Sequence, residues 1–404
     1  MKTISISRRA VHGLLCGVLF LTFGCKKDEP LAVWDPNQTG GAAPVVTSVS
    51  PANAAWSGLS RILINGSGFS NDVLVYIGPS IMPLSSVTPT QITVTAPLDT
   101  GSGLAIRVVN RDAFLFASIS PYALLSGLKN ISKMIDSTLV NVVDVDANET
   151  VYAHQLGFVY KIPFGQGQVL LGSILNKVPK ASCMRICKDG GLYLANNAGK
   201  TYIYRMDLTS GAVTDFVNIA GNVRVFDWGK DGKTIYAGGQ KVLAVVDTAR
   251  KVTKTAYYLT DVIQALRVYD DYVYVAIATG IWRNKINTDG TLGQPEKYFD
   301  WTTGPAASAT INDITFSNTG DLYIATTYTD PILIVHPDGS FVFLYPGALD
   351  SPIANFVWGW NTPYLYMNYQ KVGGKRVGRA VMDANLSPMN MQPILGAPYY
   401  GRGM

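Results

Sequence analysis

The sequence predicts an all-β protein, a β-sandwich followed by a six-bladed β-propeller, on two observations. Between residues 150 and 370 an apolar residue, a tyrosine and a short apolar run recur six times, as Val151-Tyr152, Leu192-Tyr193, Ile235-Tyr236, Val273-Tyr274, Leu322-Tyr323 and Leu365-Tyr366. The tyrosines are 41, 43, 38, 49 and 43 residues apart. A period near forty with a β-rich signature is what a propeller blade produces, because a four-stranded sheet cannot bury both faces until neighbours pack against it. Ahead of that array, residues 44 to 110 read as short alternating strands punctuated by Gly, Pro and Asn.

The N-terminus comes first. Lys2, Arg8 and Arg9 precede an apolar stretch from Ala10 to Gly24, then Cys25 and the charged run Lys26-Lys27-Asp28-Glu29. A cationic start, a short apolar centre and charge close behind make residues 1–24 a secretory signal rather than a membrane span. The run Leu21-Thr22-Phe23-Gly24-Cys25 resembles a bacterial lipobox, with a small residue before the cysteine, although Phe23 is bulkier than a strict lipobox prefers. The Cys-Lys-Lys-Asp-Glu start resembles lipoproteins of the Bacteroidetes group, where an acidic segment after the cysteine accompanies display outside the cell. That resemblance implies lipidation at Cys25, a membrane partner reached through acyl chains, and a place on the outer membrane facing the exterior. The alternative is an ordinary secreted precursor in which Cys25 is incidental. No later stretch is long and apolar enough to cross a bilayer.

Composition narrows the partners. Loss of residues 1–24 removes three of 33 basic residues and none of 28 acidic ones, so the net charge falls from +5 to about +2. Such a balance gives no electrostatic case for nucleic acid. Cys16 leaves with the signal, so Cys183 and Cys187 are the thiols of the folded part. An extended chain holds their Cα atoms about 13 Å apart, beyond a disulfide's reach, which predicts two free, buried thiols. A metal pair is the sharper alternative, but only His154 and His336 remain to join them, and neither lies at zinc-motif spacing.

Residues 25–43, polar and punctuated by Gly and Pro, read as the lipidated cysteine and a tether. From Pro44 come Val45-Val46-Thr47-Ser48-Val49-Ser50-Pro51, Ile62-Leu63-Ile64-Asn65-Gly66-Ser67-Gly68-Phe69, Val73 to Gly78, Ile92-Thr93-Val94-Thr95-Ala96-Pro97 and Leu104 to Asn110. The Ser-Pro start, the Asn-Gly-x-Gly-Phe turn and the Thr-x-Ala-Pro strand end resemble an IPT/TIG domain. This implies an immunoglobulin-like sandwich over residues 44–124 that acts as a spacer or binding module.

Residues 128–404 carry the blades. Blade two reads Cys183 to Cys187, Leu192 to Ala195, Tyr202 to Met206 and Val213 to Ile219; blade three reads Val223 to Trp228, Ile235 to Gly238, Val242 to Val246 and Val252 to Tyr258. Blade five is the cleanest, with Ile311 to Phe316, Leu322 to Thr326, Ile332 to Val335 and Phe341 to Tyr345. Its turns Ser317-Asn318-Thr319-Gly320 and His336-Pro337-Asp338-Gly339 supply the positive backbone angles of tight hairpins. The array resembles an NHL-type or related six-bladed propeller. Blade six is irregular because Lys371 to Arg379 inserts a basic, Gly-rich loop, and ring closure falls either to Leu128–Ile135 or to Pro393–Tyr400.

Chemistry is expected where the innermost strands line the channel and where loops joining second to third strand, and one blade to the next, gather on one face. Asp144, Arg185, Arg224, Arg267 and Asp313 are the channel candidates for an anion or carbohydrate site; equally, such charges can satisfy one another and water. Trp301, Tyr328 and Tyr369 are the aromatic candidates on the loops, and Trp358 and Trp360 alternate on the inner strand of blade six. Flat rings beside hydrogen-bonding groups are what sugars stack on, and filling space between blades is the competing role. No serine, cysteine or carboxylate constellation surrounds His154 or His336. Propeller lactonases hold calcium with acidic and amide groups, which Asp144, Asn312 and Asp313 imitate in part, but an inner-strand glutamate is missing.

The expected role is therefore non-catalytic, with no cofactor and no metal. The domain order resembles Bacteroidetes lipoproteins of polysaccharide utilisation, implying glycan binding through the propeller face for a Sus-like uptake system. The rivals are a protein-protein scaffold docking an outer-membrane transporter, and a metal-dependent hydrolase or lyase at the channel mouth.

Overall fold

The computed structural model describes residues 40–131, 140–196 and 201–402; the signal, Cys25 and most of the tether lie outside them. The first domain is a two-sheet sandwich. One sheet orders Val45–Ser50, Arg61–Ser67, Gln91–Thr95 and Leu84–Thr88, and the other Ala54–Trp56, Ala117–Leu125, Gly101–Val109, Leu74–Ile77 and Ser80–Ile81. Burial alternates along these strands, so Ile62, Ile64, Ile92 and Val94 meet Val75, Ile77, Ile106, Val108 and Tyr122 across one core. Ala117–Leu125 escaped the sequence reading because Ser120-Pro121 interrupts its pattern. The Asn-Gly-x-Gly turn has a steric cause. A Cβ at Gly66 would sit 1.9 Å from the Val45 carbonyl oxygen. Beside it the buried Asn110 amide donates to the carbonyls of Ala42 (2.9 Å) and Gly68 (2.7 Å) and accepts from Ser70 N–H (3.1 Å).

Six four-stranded antiparallel sheets follow, and their innermost strands touch in cyclic order until the sixth meets the first. Those strands are Val142–Val145, Ala181–Ile186, Asn222–Trp228, Ala265–Tyr269, Ile311–Phe316 and Ile353–Trp358. The expected strands of blades two, three and five are present, with shorter outermost strands at Val252–Lys254 and Phe341–Phe343. The inner strands of blades two, three, five and six each carry a bulge, at Ser182, Arg224, Asn312 and Ala354.

The signature tyrosines explain the period. All six are at most 6% exposed, and they pack between blades. Tyr193 meets Trp228 of the next blade edge-on at 5.1 Å, Tyr274 meets Phe316 at 4.5 Å, and Tyr323 meets Trp358 edge-on at 5.3 Å. Aromatic pairs of this kind add to the burial each blade gains from its neighbour.

Hydrogen bonds knit the ring from inside. Asp144 accepts N–H bonds from Val145 (2.9 Å) and from Ile186 of blade two (2.6 Å). Asp227 accepts from Trp228 (3.0 Å) and Val268 of blade four (2.9 Å), and Asp313 from Ile314 (2.9 Å) and Phe356 of blade six (3.4 Å). Thus the odd-numbered blades each present a carboxylate that staples the following blade. Asn355 joins blade six to blade one, accepting from Val143 N–H at 3.2 Å and donating to its carbonyl at 2.9 Å.

Leu128–Asn130 closes the ring by pairing with Arg376–Val381 as the outermost strand of blade six. Of the two closing segments the sequence left open, the N-terminal one is used. Only Ser126 and Gly127 separate it from the last sandwich strand. Trp56 adds an indole N–H bond to Asp383 (2.7 Å), Ser60 donates to the Leu386 carbonyl, and Val381 N–H donates to Gly127 (2.9 Å). The two domains are therefore fastened, not loosely strung.

Cys183 and Cys187 are buried and free, and burial pushes the Cys183 thiol up to about 11. His154 is fully buried between blades one and two, with Nε2–H donating to the Val178 carbonyl (2.9 Å) and Nδ1 3.0 Å from the Asn141 amide. Burial lowers its pKa to about 4. Below about pH 6.5 the unfolded chain binds a proton that the folded chain refuses until about pH 4, so stability falls with pH across that window. Relative to His154→Gln, the wild-type protein is expected to lose up to about 3 kcal/mol between pH 7 and pH 4, read as a shift in urea midpoint.

Candidate functional site

Asp144, Arg185, Asp227 and Arg267 occupy one register position, each opposite the signature tyrosine of its own blade. Acid and base thus alternate around four blades. In blade five Thr315 takes this position and Asp313 stands two residues earlier; in blade six the position is Val357.

The missing base comes from the C-terminal segment. After blade six the chain bridges Asp383 to Pro393 and then Ser317 to Gly396, with Asn318 N–H donating to Leu395 (2.8 Å) and Ala397 N–H to Phe316 (2.9 Å). It then crosses the axis and ends in a short 3-10 turn, Tyr400–Arg402. Arg402 donates to Asp144 at 2.8 Å and to the Trp358 carbonyl at 3.1 Å, and its guanidinium lies 4.9 Å from the Trp360 ring centroid and 5.0 Å from that of Tyr399. Two glycines let the strap lie flat on indoles: a Cβ would come within 2.4 Å of Trp358 at Gly396 and within 2.2 Å of Trp228 at Gly401.

Between strap and channel lies a cavity of about 360 Å³, lined by Asp144, Arg185, Asp227, Arg267, Trp358, Trp360, Tyr399 and Arg402 among others. It opens on the face of the turns joining first to second strands, opposite the face expected to carry ligand. Five of its lining side chains keep a buried donor with no partner among the described residues: Arg185 Nε, Arg267 Nη1, Arg402 Nε, Trp358 Nε1 and the Tyr399 hydroxyl. The acids, by contrast, are engaged by the backbone staples, by Arg402 on Asp144 and, at 3.9 Å, by Arg267 on Asp313. Burial pushes the Asp227 carboxyl up to about 6, against the pull of Arg185 and of two N–H donors. Asp313 is raised for the same first reason.

The other expected residues fall elsewhere. Trp301 is 2% exposed and donates its indole N–H to Ala309 (2.9 Å), sealing its own loop over the core of blades four and five. Tyr369 is 4% exposed beneath Arg376, which lies 4.5 Å above its ring. Neither ring presents a face to a ligand; packing has consumed both. Tyr328 is half-buried, stacked on Phe343 at 5.3 Å. Arg224 sits on the bulge of blade three, half-buried and away from the cavity lining. Trp360 lies beyond the strand end at Trp358, so strict alternation does not place it; its N–H bonds to the Val145 carbonyl at 2.7 Å. Asn312 donates to the Ile353 carbonyl (2.8 Å) and so serves the ring, as Asp144 and Asp313 do. Among the described residues no three His, Cys, Asp or Glu gather at metal-ligand distances. Tyr399 and Arg402 went unforeseen, since they lie in an aperiodic segment and Arg402 meets Asp144 from 258 residues away.

Residues 44–124 match the IPT/TIG domain family model. No curated protein matches the sequence. Among solved structures, a candidate phosphatase from Bacteroides thetaiotaomicron aligns with TM-score 0.55 at 12% identity, covering 85% of this chain and 99% of that one. A protein of unknown function from the same organism aligns at 16% identity and TM-score 0.49, covering 87% and 100%. An auxiliary nutrient binding protein from Bacteroides ovatus aligns at 14% identity and TM-score 0.48, covering 84% and 99%. At such identities the likeness concerns fold, and the chain is all-β with an IPT/TIG domain and a propeller.

Two substitutions separate packing from site. Arg402→Ala leaves the buried Asp144 carboxylate without its cation and is expected to cost about 3 kcal/mol, read by urea unfolding, with Arg402→Lys recovering part. Trp301→Ala is expected to cost a similar amount, about 3 kcal/mol, while leaving any ligand retention by the folded protein unchanged.

Proposed function

We propose that this is a non-catalytic binding protein, lipidated at Cys25 and displayed on the outer membrane, which holds an acidic glycan in the cavity under the C-terminal strap for a Sus-like uptake system. The observation that carries the ligand reading is the surplus of donors. Five side chains around one cavity have N–H or O–H groups without acceptors among the described residues, while the neighbouring carboxylates are already bonded. A ligand rich in oxygen acceptors complements such a lining, and a carboxylate or sulfate group does so best because guanidinium donors bind oxyanions through charge-assisted bonds. The volume suits a small-ligand site. Stacking contributes less than the tryptophans suggested, since Gly396 lies on Trp358 and Arg402 on Trp360.

The anchor reading rests on the lipobox and on the charged residues behind Cys25. The IPT/TIG domain supplies the spacer.

Retention of the folded protein in gels containing polygalacturonate, with dextran as the neutral control, tests the ligand reading. Arg267→Gln is expected to weaken retention by the acidic polymer about tenfold, on the scale of one charge-assisted contact. Because a bound anion favours protonated Asp227, retention should also strengthen as pH falls from 8 towards 6. Indifference to every acidic polysaccharide, or retention unchanged in Arg267→Gln, overturns the assignment. Capture of an outer-membrane transporter without any glycan retention would favour the scaffold.

A further inference from the structure

Phe114, Leu115 and Phe116 are 65%, 70% and 55% exposed, three consecutive large apolar side chains on one loop. Single exposed apolar residues are ordinary on any surface, but an exposed run of this kind is costly unless something covers it. Other exposed apolar side chains, Ile81, Leu98 and Val342, line a cleft between sandwich and propeller and so already face protein. Among the described residues the Phe114–Phe116 loop lines no such cleft.

Its position is specific. It joins Gly101–Val109 to Ala117–Leu125, and the far end of the latter strand runs into the propeller through Ser126-Gly127. Nine extended residues at roughly 3.3 Å each put the loop about 30 Å from the domain junction. The tether arrives at this same end. Gly41 N–H donates to the Asp112 carbonyl at 2.8 Å, and Gly40 lies so close to Phe114 that a Cβ there would be 2.5 Å from the ring. From Gly40 back to Cys25 is fifteen residues, a reach of at most about 50 Å.

We propose that the Phe114–Phe116 tip is a membrane-contact element, seating the distal end of the sandwich in the interfacial zone of the bilayer that holds the lipidated Cys25. The inference rests on that anchor reading and goes beyond it by assigning an orientation. A single lipidated cysteine on a long tether leaves the folded part free to tumble above the surface, and a second, weaker contact removes that freedom. Phenylalanine and leucine suit the boundary between headgroups and acyl chains, and exposed Arg111 beside them suits lipid phosphate. A bilayer is the occupant this geometry favours over a protein partner, because the chain leading to the lipid emerges against Phe114 itself.

The full mature protein is reconstituted into phosphatidylethanolamine–phosphatidylglycerol vesicles after Leu115→Cys labelling with an environment-sensitive dye. Cys183 and Cys187 are buried and stay unlabelled. Thr248→Cys, on an exposed turn of blade three across the ring from the blade that carries the sandwich, is the control. Nitroxide-bearing lipid is expected to quench the residue 115 dye at least threefold more than the residue 248 dye. The F114S/L115S/F116S variant should keep its thermal midpoint yet lose at least tenfold in vesicle partition when prepared without lipid. Equal quenching at both positions, no quenching at 115, or partition unchanged in the triple variant overturns the proposal. The mass of the N-terminal peptide reports lipidation of Cys25 separately, so a failed anchor is distinguished from a failed tip.

Discussion

Three backbone pairs, Leu128 with Ala380, Lys129 with Arg379 and Asn130 with Gly378, hold this architecture together. They complete blade six with a strand that precedes blade one and so covers the edge that Arg376–Val381 would otherwise present. The same strand follows directly on the sandwich, and the closure that makes the propeller therefore also fixes the sandwich to it. Every later feature presupposes a closed ring: the inner strands face one another only then, and the strap has a mouth to cross only then.

Inside the ring the charges do two jobs at once. Carboxylates buried on blades one, three and five are costly in a low-dielectric channel, and the two N–H bonds each receives offset part of that cost while binding blade to blade. Guanidinium groups interleaved between them neutralise the channel but cannot saturate their own donors. The surplus leaves the cavity lined by free donors, so the side chains that balance charge inside the ring also set the polarity of its mouth.

Much of this was legible from the residues. The six tyrosines marked the blades because a position that packs between neighbouring sheets must be large and apolar with a polar tip, and evolution repeats it wherever the geometry repeats. Asp144, Arg185, Arg267 and Asp313, the inner-strand candidates, do lie on inner strands. Arg224 was misplaced by one residue of register, because a bulge shifts a strand's faces without leaving a mark on composition. Trp301 and Tyr369 looked like display surfaces because a loop tryptophan that seals its own loop has the same sequence context as one that meets a ligand. Closure and strap resisted reading for a different reason. Their contacts join positions some 250 residues apart, and neither Leu128–Asn130 nor Tyr399–Arg402 carries a periodic pattern of its own.

The continuity of Ala117–Leu125 with Leu128–Asn130 has a mechanical meaning. If the tether is pulled while the propeller is held, the load passes along the sandwich strand into the short ladder at the rim of blade six. Its hydrogen bonds run across the direction of pull, so they are strained together in shear rather than opened one after another like a zipper. Under tension the two domains are thus joined at a place where the backbone resists being unfastened.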